Sequence, residues 1–352
     1  MLTALRLSHF RCYSTLCWEI PAEGAILLGA NAQGKTSLIE AICMALTLHS
    51  PRVARMDKLA AHGQTHFGIS LDTEEHRRRL LWEKGKKTAL QINGVEQRDY
   101  CDFLADSHPV TWLGNRDISL VNGGAEERRR YLDFLGSQWH PVYREALQNY
   151  RKALRNRNAL LRHPRRNTGL LRNYAEILAT HGEIIIRLRQ QLLERLTPHI
   201  NHTHHSIAHG EETVQLAYLP STTLPLQQAL DAALAADEHA GCTTVGPHRD
   251  DFLLHIAGRR ADTYASEGQQ RTLATAMQMA QSGLLHEETG KAPILLIDDI
   301  FGELDSQRRR SLLSVLPAES QVFITTTGLD WLGDMVAPLP LIRVENAKLH
   351  RL

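Results

Sequence analysis

Eight consecutive residues, Gly29, Ala30, Asn31, Ala32, Gln33, Gly34, Lys35 and Thr36, carry the spacing GxxxxGK[ST]. The chemistry this spacing serves is phosphate binding. Glycines let backbone N–H groups wrap phosphate oxygens, the lysine reaches the β- and γ-phosphates, and the threonine hydroxyl ligates Mg2+. An apolar run from Gly24 to Gly29 stands directly before the loop, and Ser37 to Leu48 has helical spacing directly after it. Strand, loop and helix N-terminus therefore follow in the order an anion site requires. A chance glycine turn before an amphipathic helix would not need the strand. We read Gly29 to Thr36 as an ATP-binding loop, with Lys35 also catalytic and Thr36 on the metal.

Such a site needs a second wall for the metal. Ile294 to Ile297 is an apolar run suited to a central strand, and it ends in Asp298 and Asp299. Asp298 is the expected metal ligand. Asp299 stands where ABC-type ATPases place the general base for the attacking water, usually a glutamate, and the shorter acid predicts slow hydrolysis. Alone, the run would be a buried strand with an acidic turn; the phosphate loop gives it meaning.

A third segment, Tyr264-Ala265-Ser266-Glu267-Gly268-Gln269-Gln270-Arg271, resembles the ABC signature, a Ser-x-Gly-Gln sequence at a helix start. Ser266, Gly268 and Gln269 offer hydroxyl, N–H and amide groups to an anion, although in isolation the segment is only a helix cap. In ABC-type heads it lies far from its own chain's phosphate loop, so it completes the site of a second copy and ATP is sandwiched between two heads. Gly302-Glu303-Leu304-Asp305 has the spacing of the D-loop, which sets Asp305 along the dimer seam. Thr327 stands where many relatives carry a switch histidine. Asn115 and Asp117 are the positional candidates for the Q-loop residue.

These segments need a scaffold of short strands and one strong helix. The expected strands are Leu5 to Phe10, Phe67 to Leu71, Arg79 to Trp82 and Ala89 to Ile92, with Asn93-Gly94 as a turn. From Ala125 the texture changes to long Arg- and Leu-rich periodic stretches broken by Pro141, Pro164 and Pro198, which predicts three or four helices packed as a lobe. After Gly241 short strands return, then a helix from about Gly268 to Leu285 and a last strand from Val322 to Thr327. The expected fold is α/β, a P-loop ATPase head in two parts (1–124 and 241–352) with an inserted helical lobe at 125–240.

Charge is balanced over the 352 residues, 40 basic against 39 acidic, but not along them. From Arg128 to Arg195 fourteen Arg and one Lys face five acids, leaving that segment at +10 and the remainder near −9. Dense cations neutralise nucleic-acid phosphates and release counterions, which points to sequence-independent DNA binding; a solvated face with Arg stems over apolar surface is the plainer alternative. His202, His204, His205 and His209 cluster without a companion carboxylate or cysteine at a recognised spacing, so a solvated inter-helix loop is expected there. Gly246-Pro247-His248-Arg249-Asp250-Asp251 combines turn chemistry with opposed charges, as a structural corner or a subunit contact would. Five cysteines, none in a CxxC pair, suggest neither a disulfide framework nor a zinc ribbon. With no signal-like N-terminus and no apolar run long enough to span a bilayer, a cytoplasmic location away from membranes is expected.

The ordered set resembles the RecF family of SMC-like ATPases over nearly the whole chain. It comprises Leu5-x-Leu7-x-x-Phe10-Arg11-x-Tyr13, the phosphate loop, Asp117-x-Ser119-Leu120-Val121-x-Gly123, Arg128-Arg129-Arg130-Tyr131-Leu132-Asp133, the Gly246 to Asp251 segment, the signature, and Asp298-Asp299-x-Phe301-x-Glu303-Leu304-Asp305. Ala32 departs from the family's glycine, which tightens the loop slightly without removing the cradle. The resemblance implies ATP-dependent homodimerisation, weak DNA-dependent ATP hydrolysis used as a switch, and binding to gaps and single-strand/double-strand junctions. It also implies cooperation with RecR, help in loading RecA, and roles in replication, recombination, DNA repair and the SOS response. Arg11, by family position, lies close to the nucleotide. A small-molecule kinase would not need the signature, an ABC-type ATPase subunit of another system is nearer, and a scaffold that binds ATP without turnover is the third alternative.

Overall fold

The computed structural model describes every residue except 165, 166, 209, 211, 303, 305 and 333–338, together with the side chain of Ser306. It forms two compact units: Met1–Asp117 with Leu285–Leu352, and Ile118–Leu284.

The first unit holds two six-stranded sheets. One is antiparallel, in the order Tyr13–Glu19, Leu2–Phe10, His66–Thr73, Arg77–Glu83, Ala89–Ile92, Val95–Glu96. Period-two alternation buries Leu5, Leu7, Ile69 and Leu71 while Arg6, Ser8 and Ser70 take the other face. Asn93 and Gly94 turn the last hairpin with φ of 51° and 82°, the left-handed pair a tight hairpin needs.

The second sheet runs Lys348–Arg351, Leu341–Glu345, Gly24–Leu28, Val322–Thr326, Ile294–Asp298, Val110–Gly114. All its neighbours are parallel except the terminal hairpin. Parallel strands covered on both faces read as continuous apolar runs, and Ala25 to Leu27, Leu295 to Ile297, Phe323 and Ile324 are wholly buried. Each such Leu or Ile contributes about 1.5–3 kcal/mol of burial. Register pairs Asp298 with Thr325 and Gly114, and Leu28 with Thr326, so four strands end along one edge. The expected last strand is not the last: the hairpin Leu341–Glu345/Lys348–Arg351 follows it, reversing at Asn346 and Ala347 with φ of 48° and 57°. Its apolar alternation is too short to stand out from the flanking charges.

The second unit is built on the helices Ala125–Trp139, Pro141–Leu161 and Thr168–Ala208, with a three-stranded antiparallel sheet of Val214–Leu219, Asp251–Ile256 and Arg259–Arg260. Pro141 opens its helix at the first position, where the missing N–H costs nothing. Pro198 does not break a helix as expected; it lies inside the 41-residue helix. Leu192, Leu193, Leu196 and Ile200 are buried on both sides of it, and their packing offsets the roughly 3 kcal/mol an interior proline costs. The Thr197 hydroxyl donates to Leu193 O (2.7 Å) beside the interruption. The histidine cluster is likewise helical, not a loop: His202 and His205 are exposed on the last two turns, His204 is buried, and His209 lies outside the described residues. Among the described residues no group of three or more His, Cys, Asp or Glu is disposed to hold a metal.

Much of the arginine charge is used inside this unit. Arg128 grips Asp251 with two bonds (2.7 and 2.9 Å), Arg157 reaches Asp237 (2.6 Å), and Arg189 joins Asp133 (2.7 Å), the Tyr143 hydroxyl (3.0 Å) and Pro247 O (2.6 Å). The segment Gly246 to Asp251 receives two of these ties, at Pro247 and Asp251. Asp250 accepts from Ser221 N (2.7 Å) and the Tyr218 hydroxyl (2.5 Å), and His248 contacts Thr243 O through Nε2 (2.9 Å) and the Tyr150 hydroxyl through Nδ1 (2.7 Å). Nε2, facing a carbonyl, donates, and in the neutral imidazole Nδ1 accepts from the Tyr150 hydroxyl.

Burial lowers the His248 pKa from 6.5 to about 4. Above 6.5 the ring is neutral folded or unfolded; as pH falls toward 4 only the unfolded chain takes up the proton. Stability should therefore decline across that window, by about 3 kcal/mol at its end. Chemical denaturation at pH 7 and pH 4.5 checks this. His248→Gln keeps a donor and an acceptor without titrating, so equal acid losses in both proteins would refute the assignment.

Candidate functional site

The strand Gly24–Leu28 delivers the phosphate loop to the edge where Ile294–Asp298 and Val322–Thr326 also end. Ala30, Asn31 and Ala32 are exposed at its tip, and the helix Lys35–Thr47 begins at its far side. Gly34 has φ of 109°, and a Cβ there would stand 2.6 Å from Tyr13 Oη and 2.8 Å from Cys12 Sγ. Glycine is therefore required on both conformational and steric grounds. Ala32 adopts φ of 63°, the left-handed conformation glycine favours. The alanine thus keeps the loop's path, at a cost of about 1 kcal/mol.

Lys35 is buried, and its ammonium donates to Gly29 O (2.7 Å) and Ala30 O (2.8 Å). Burial lowers its pKa, while the nearby Asp299 and Asp298 carboxylates pull it back up. Thr36 Oγ1 donates to Asp298 Oδ1 (2.7 Å), and so does Thr325 Oγ1 (2.8 Å). A hydroxyl and a carboxylate oxygen this close form a hard donor set of the kind Mg2+ takes when water and substrate phosphates complete its octahedron. Asp299 has φ of 54°, a conformation Asp tolerates better than most residues, and its N–H donates to Thr325 O (3.2 Å).

Two supports escaped the sequence reading. Thr325 orients Asp298 from the neighbouring strand, and the C-terminal hairpin buttresses the loop: Asn346 N donates to Gln33 Oε1 (2.6 Å), and a Cβ on Gly29 would lie 2.3 Å from Val344 O. A hydroxyl in the strand beside the Asp-Asp strand was the only available signal for the first. Arg11 makes a bidentate ion pair with the buried Glu40 (2.9 and 2.7 Å), one turn into the phosphate-loop helix, and donates to Lys58 O (2.8 Å). Ser50 Oγ donates to the same carboxylate (2.6 Å). Asn115 and Asp117 follow the strand beside Asp298, with Asp117 Oδ2 accepting from Gly114 N (2.7 Å). Thr327 is exposed just beyond its strand. Asp305 and Glu303 lie outside the described residues.

In the second unit, the helix Glu267–Thr289 starts behind an exposed Ser266. Ser266 N donates to Gln269 Oε1 (2.9 Å) and Gln269 N donates to Ser266 Oγ (3.3 Å), a reciprocal capping box. Gly268 O is taken by the Thr272 hydroxyl (2.9 Å), while the Ser266 hydroxyl proton stays available for an outside acceptor. The helix start thus presents a hydroxyl and N–H groups outward, with the positive end of its dipole.

The family described as RecF/RecN/SMC N terminal domain matches residues 1–349. The DNA replication and repair protein RecF of Rippkaea orientalis is 35% identical, covering 99% of both chains, and that of Enterococcus faecalis is 32% identical, covering 99% of this chain and 98% of the relative. The structure of the recombination mediator protein RecF-ATPrS in the RecFOR pathway superposes with a TM-score of 0.88 at 28% identity, covering 100% of this chain and 98% of the other. An Smc head bound to the C-winged helix domain of ScpA shares the fold alone, with a TM-score of 0.56 at 14% identity over 100% of this chain and 97% of the other. The chain has the mixed α/β head fold of the SMC group and belongs to the RecF family of DNA replication and repair proteins.

Proposed function

We propose that this chain is an ATP-controlled DNA-binding protein of recombinational repair and fork maintenance, dimerising on ATP. The observation that carries the reading is the meeting of Thr36, Asp298 and Lys35 at one sheet edge, with the hydroxyl and carboxylate 2.7 Å apart. Gly29 to Thr36 cradle the phosphates, Lys35 neutralises the β- and γ-phosphates, and Thr36 and Asp298 hold Mg2+, which draws charge from the phosphoryl oxygens when bound. Ser266, Gly268 and Gln269 of one copy cap the nucleotide of the other, with Asp305 along the seam and Arg11 beside the site. In this reading 1–124 and 241–352 make the head and 125–240 the Arg-rich lobe. Family membership and the ATP complex of a relative support nucleotide binding, and kinship with the RecFOR pathway supports cooperation with RecR on gapped DNA. No helix of the described residues is long and apolar enough to cross a membrane.

Asp299 is the general base. Asp299→Asn should lower steady-state phosphate release by about a hundredfold while nucleotide retention on filters stays near wild type. Unchanged turnover would remove Asp299 from that role.

The DNA reading rests on the cations that face solvent: Lys152, Arg155, Arg172 and Arg187 are exposed on the lobe's helices, and Arg162 caps the end of one. Binding to gapped, duplex and single-stranded DNA with and without ATP tests it. The expected result is ATP-dependent retention of gapped duplex, falling on the order of a thousandfold between about 50 and 200 mM salt for about six phosphate contacts. Retention indifferent to ATP, or a flat salt response, overturns it.

A further inference from the structure

The signature's geometry depends on an acid that lies outside the signature itself, Glu212, four residues beyond the end of the long helix. Gln269 Nε2 donates to Glu212 Oε1 at 2.7 Å. Its other amide atom, Oε1, accepts from Ser266 N at 2.9 Å. A glutamine amide can bond either way round, and which end is oxygen is set by its neighbours. A carboxylate only accepts, so Glu212 selects the rotamer that turns the NH2 toward itself and the oxygen toward Ser266 N. Reversing the amide would set oxygen against carboxylate and NH2 against N–H, losing both bonds. Glu212 is itself fixed from behind: two residues on, Val214 is clamped to the long helix by Asn201, which donates to Val214 O (2.9 Å) and accepts from Val214 N (2.8 Å).

We propose that Glu212 is the positioning residue of the signature, holding Gln269 so that the Ser266 hydroxyl and the first N–H groups of the helix face an incoming triphosphate. The inference rests on the reading that Ser266 caps the nucleotide of a second copy. It touches neither the phosphate loop nor the metal ligands, so its effect belongs to assembly and not to nucleotide capture. A carbonyl acceptor at position 212 serves as well as a carboxylate, because the bond needs an acceptor and not a charge.

The test compares Glu212→Ala, Glu212→Gln and Ser266→Arg in the full chain. The ATP concentration at half-maximal dimerisation is read by light scattering, and protection of the segment around Ser266 by hydrogen exchange. Glu212→Ala should raise the ATP midpoint about tenfold and lose amide protection at Ser266, with ATP affinity of the isolated chain within about twofold of wild type. Glu212→Gln, which keeps an acceptor, should restore both, whereas a merely structural loss would not follow the acceptor. Ser266→Arg should abolish dimerisation. If Ser266→Arg fails to assemble while Glu212→Ala assembles and exchanges like wild type, the positioning role is refuted and the capping reading stands. If Ser266→Arg assembles normally, the capping reading falls, and the role inferred for Glu212 falls with it.

Discussion

Replacing Lys35 with alanine should weaken ATP binding by about a hundredfold or more, since a charge-assisted bond to a desolvated phosphate is worth roughly 1.5–3 kcal/mol and the lysine makes more than one. The ammonium is buried and held on Gly29 O and Ala30 O. Its removal leaves the backbone cradle intact, so folding stability should change little while nucleotide affinity collapses. Titration calorimetry with ATP checks the first, and thermal unfolding without nucleotide the second. Affinity within about threefold of wild type would mean that the loop does not hold the triphosphate this way. Lys35→Arg should recover little, because a planar guanidinium does not replace a compact ammonium held on two carbonyl oxygens.

The other large effect concerns the lobe. Arg157→Met should destabilise the protein by about 3–5 kcal/mol, because it strands a buried carboxylate. Arg157 and Asp237 are 1% and 0% exposed, and Arg157 Nη1 also donates to Thr243 Oγ1 at 2.8 Å. Asp237 Oδ1 in turn accepts from Thr244 N (2.8 Å) and the Thr244 hydroxyl (2.6 Å), so the carboxylate cannot move to water without dismantling the turn. Chemical denaturation measures the loss. The pair Arg157→Met with Asp237→Asn should recover part of it, since the amide carries no charge to desolvate. A single variant as stable as wild type would mean that Asp237 finds another counter-charge.

These two sites also show what can be read from residues alone. The strand and helix that flank Gly29 to Thr36, the strand that ends at Asp298 and the helix start behind Ser266 were legible because each is local: a handful of neighbours in sequence sets the element. Thr325 and the hairpin behind Gln33 were not, since their role depends on which strands become neighbours, and an isolated threonine or a short Leu-Ile-Arg-Val run has no period to betray it. Pro198 misled for a related reason. Local propensity says that proline ends a helix, but the apolar stripe continues across it and packing decides. Positive charge was the least readable feature. Fourteen arginines look like one basic surface in the sequence, yet Arg128, Arg157 and Arg189 face Asp251, Asp237 and Asp133, acids that lie close by only in the fold. Arg189 and Asp133 are 56 residues apart, and Arg128 and Asp251 are 123 apart, distances over which no sequence pattern announces a partner.

The most direct measurement of the central claim, that one copy's signature completes the other's nucleotide site, is a mixing experiment. Lys35→Ala and Ser266→Arg chains are assayed for ATP-dependent dimerisation and phosphate release, separately and combined. In a sandwich, one interface of the mixed dimer carries both lesions and the other carries neither, so the mixture should recover activity that both proteins lack alone. A mixture that shows only the sum of its two inactive parts, or a Ser266→Arg chain that hydrolyses ATP as well as wild type by itself, would contradict the account.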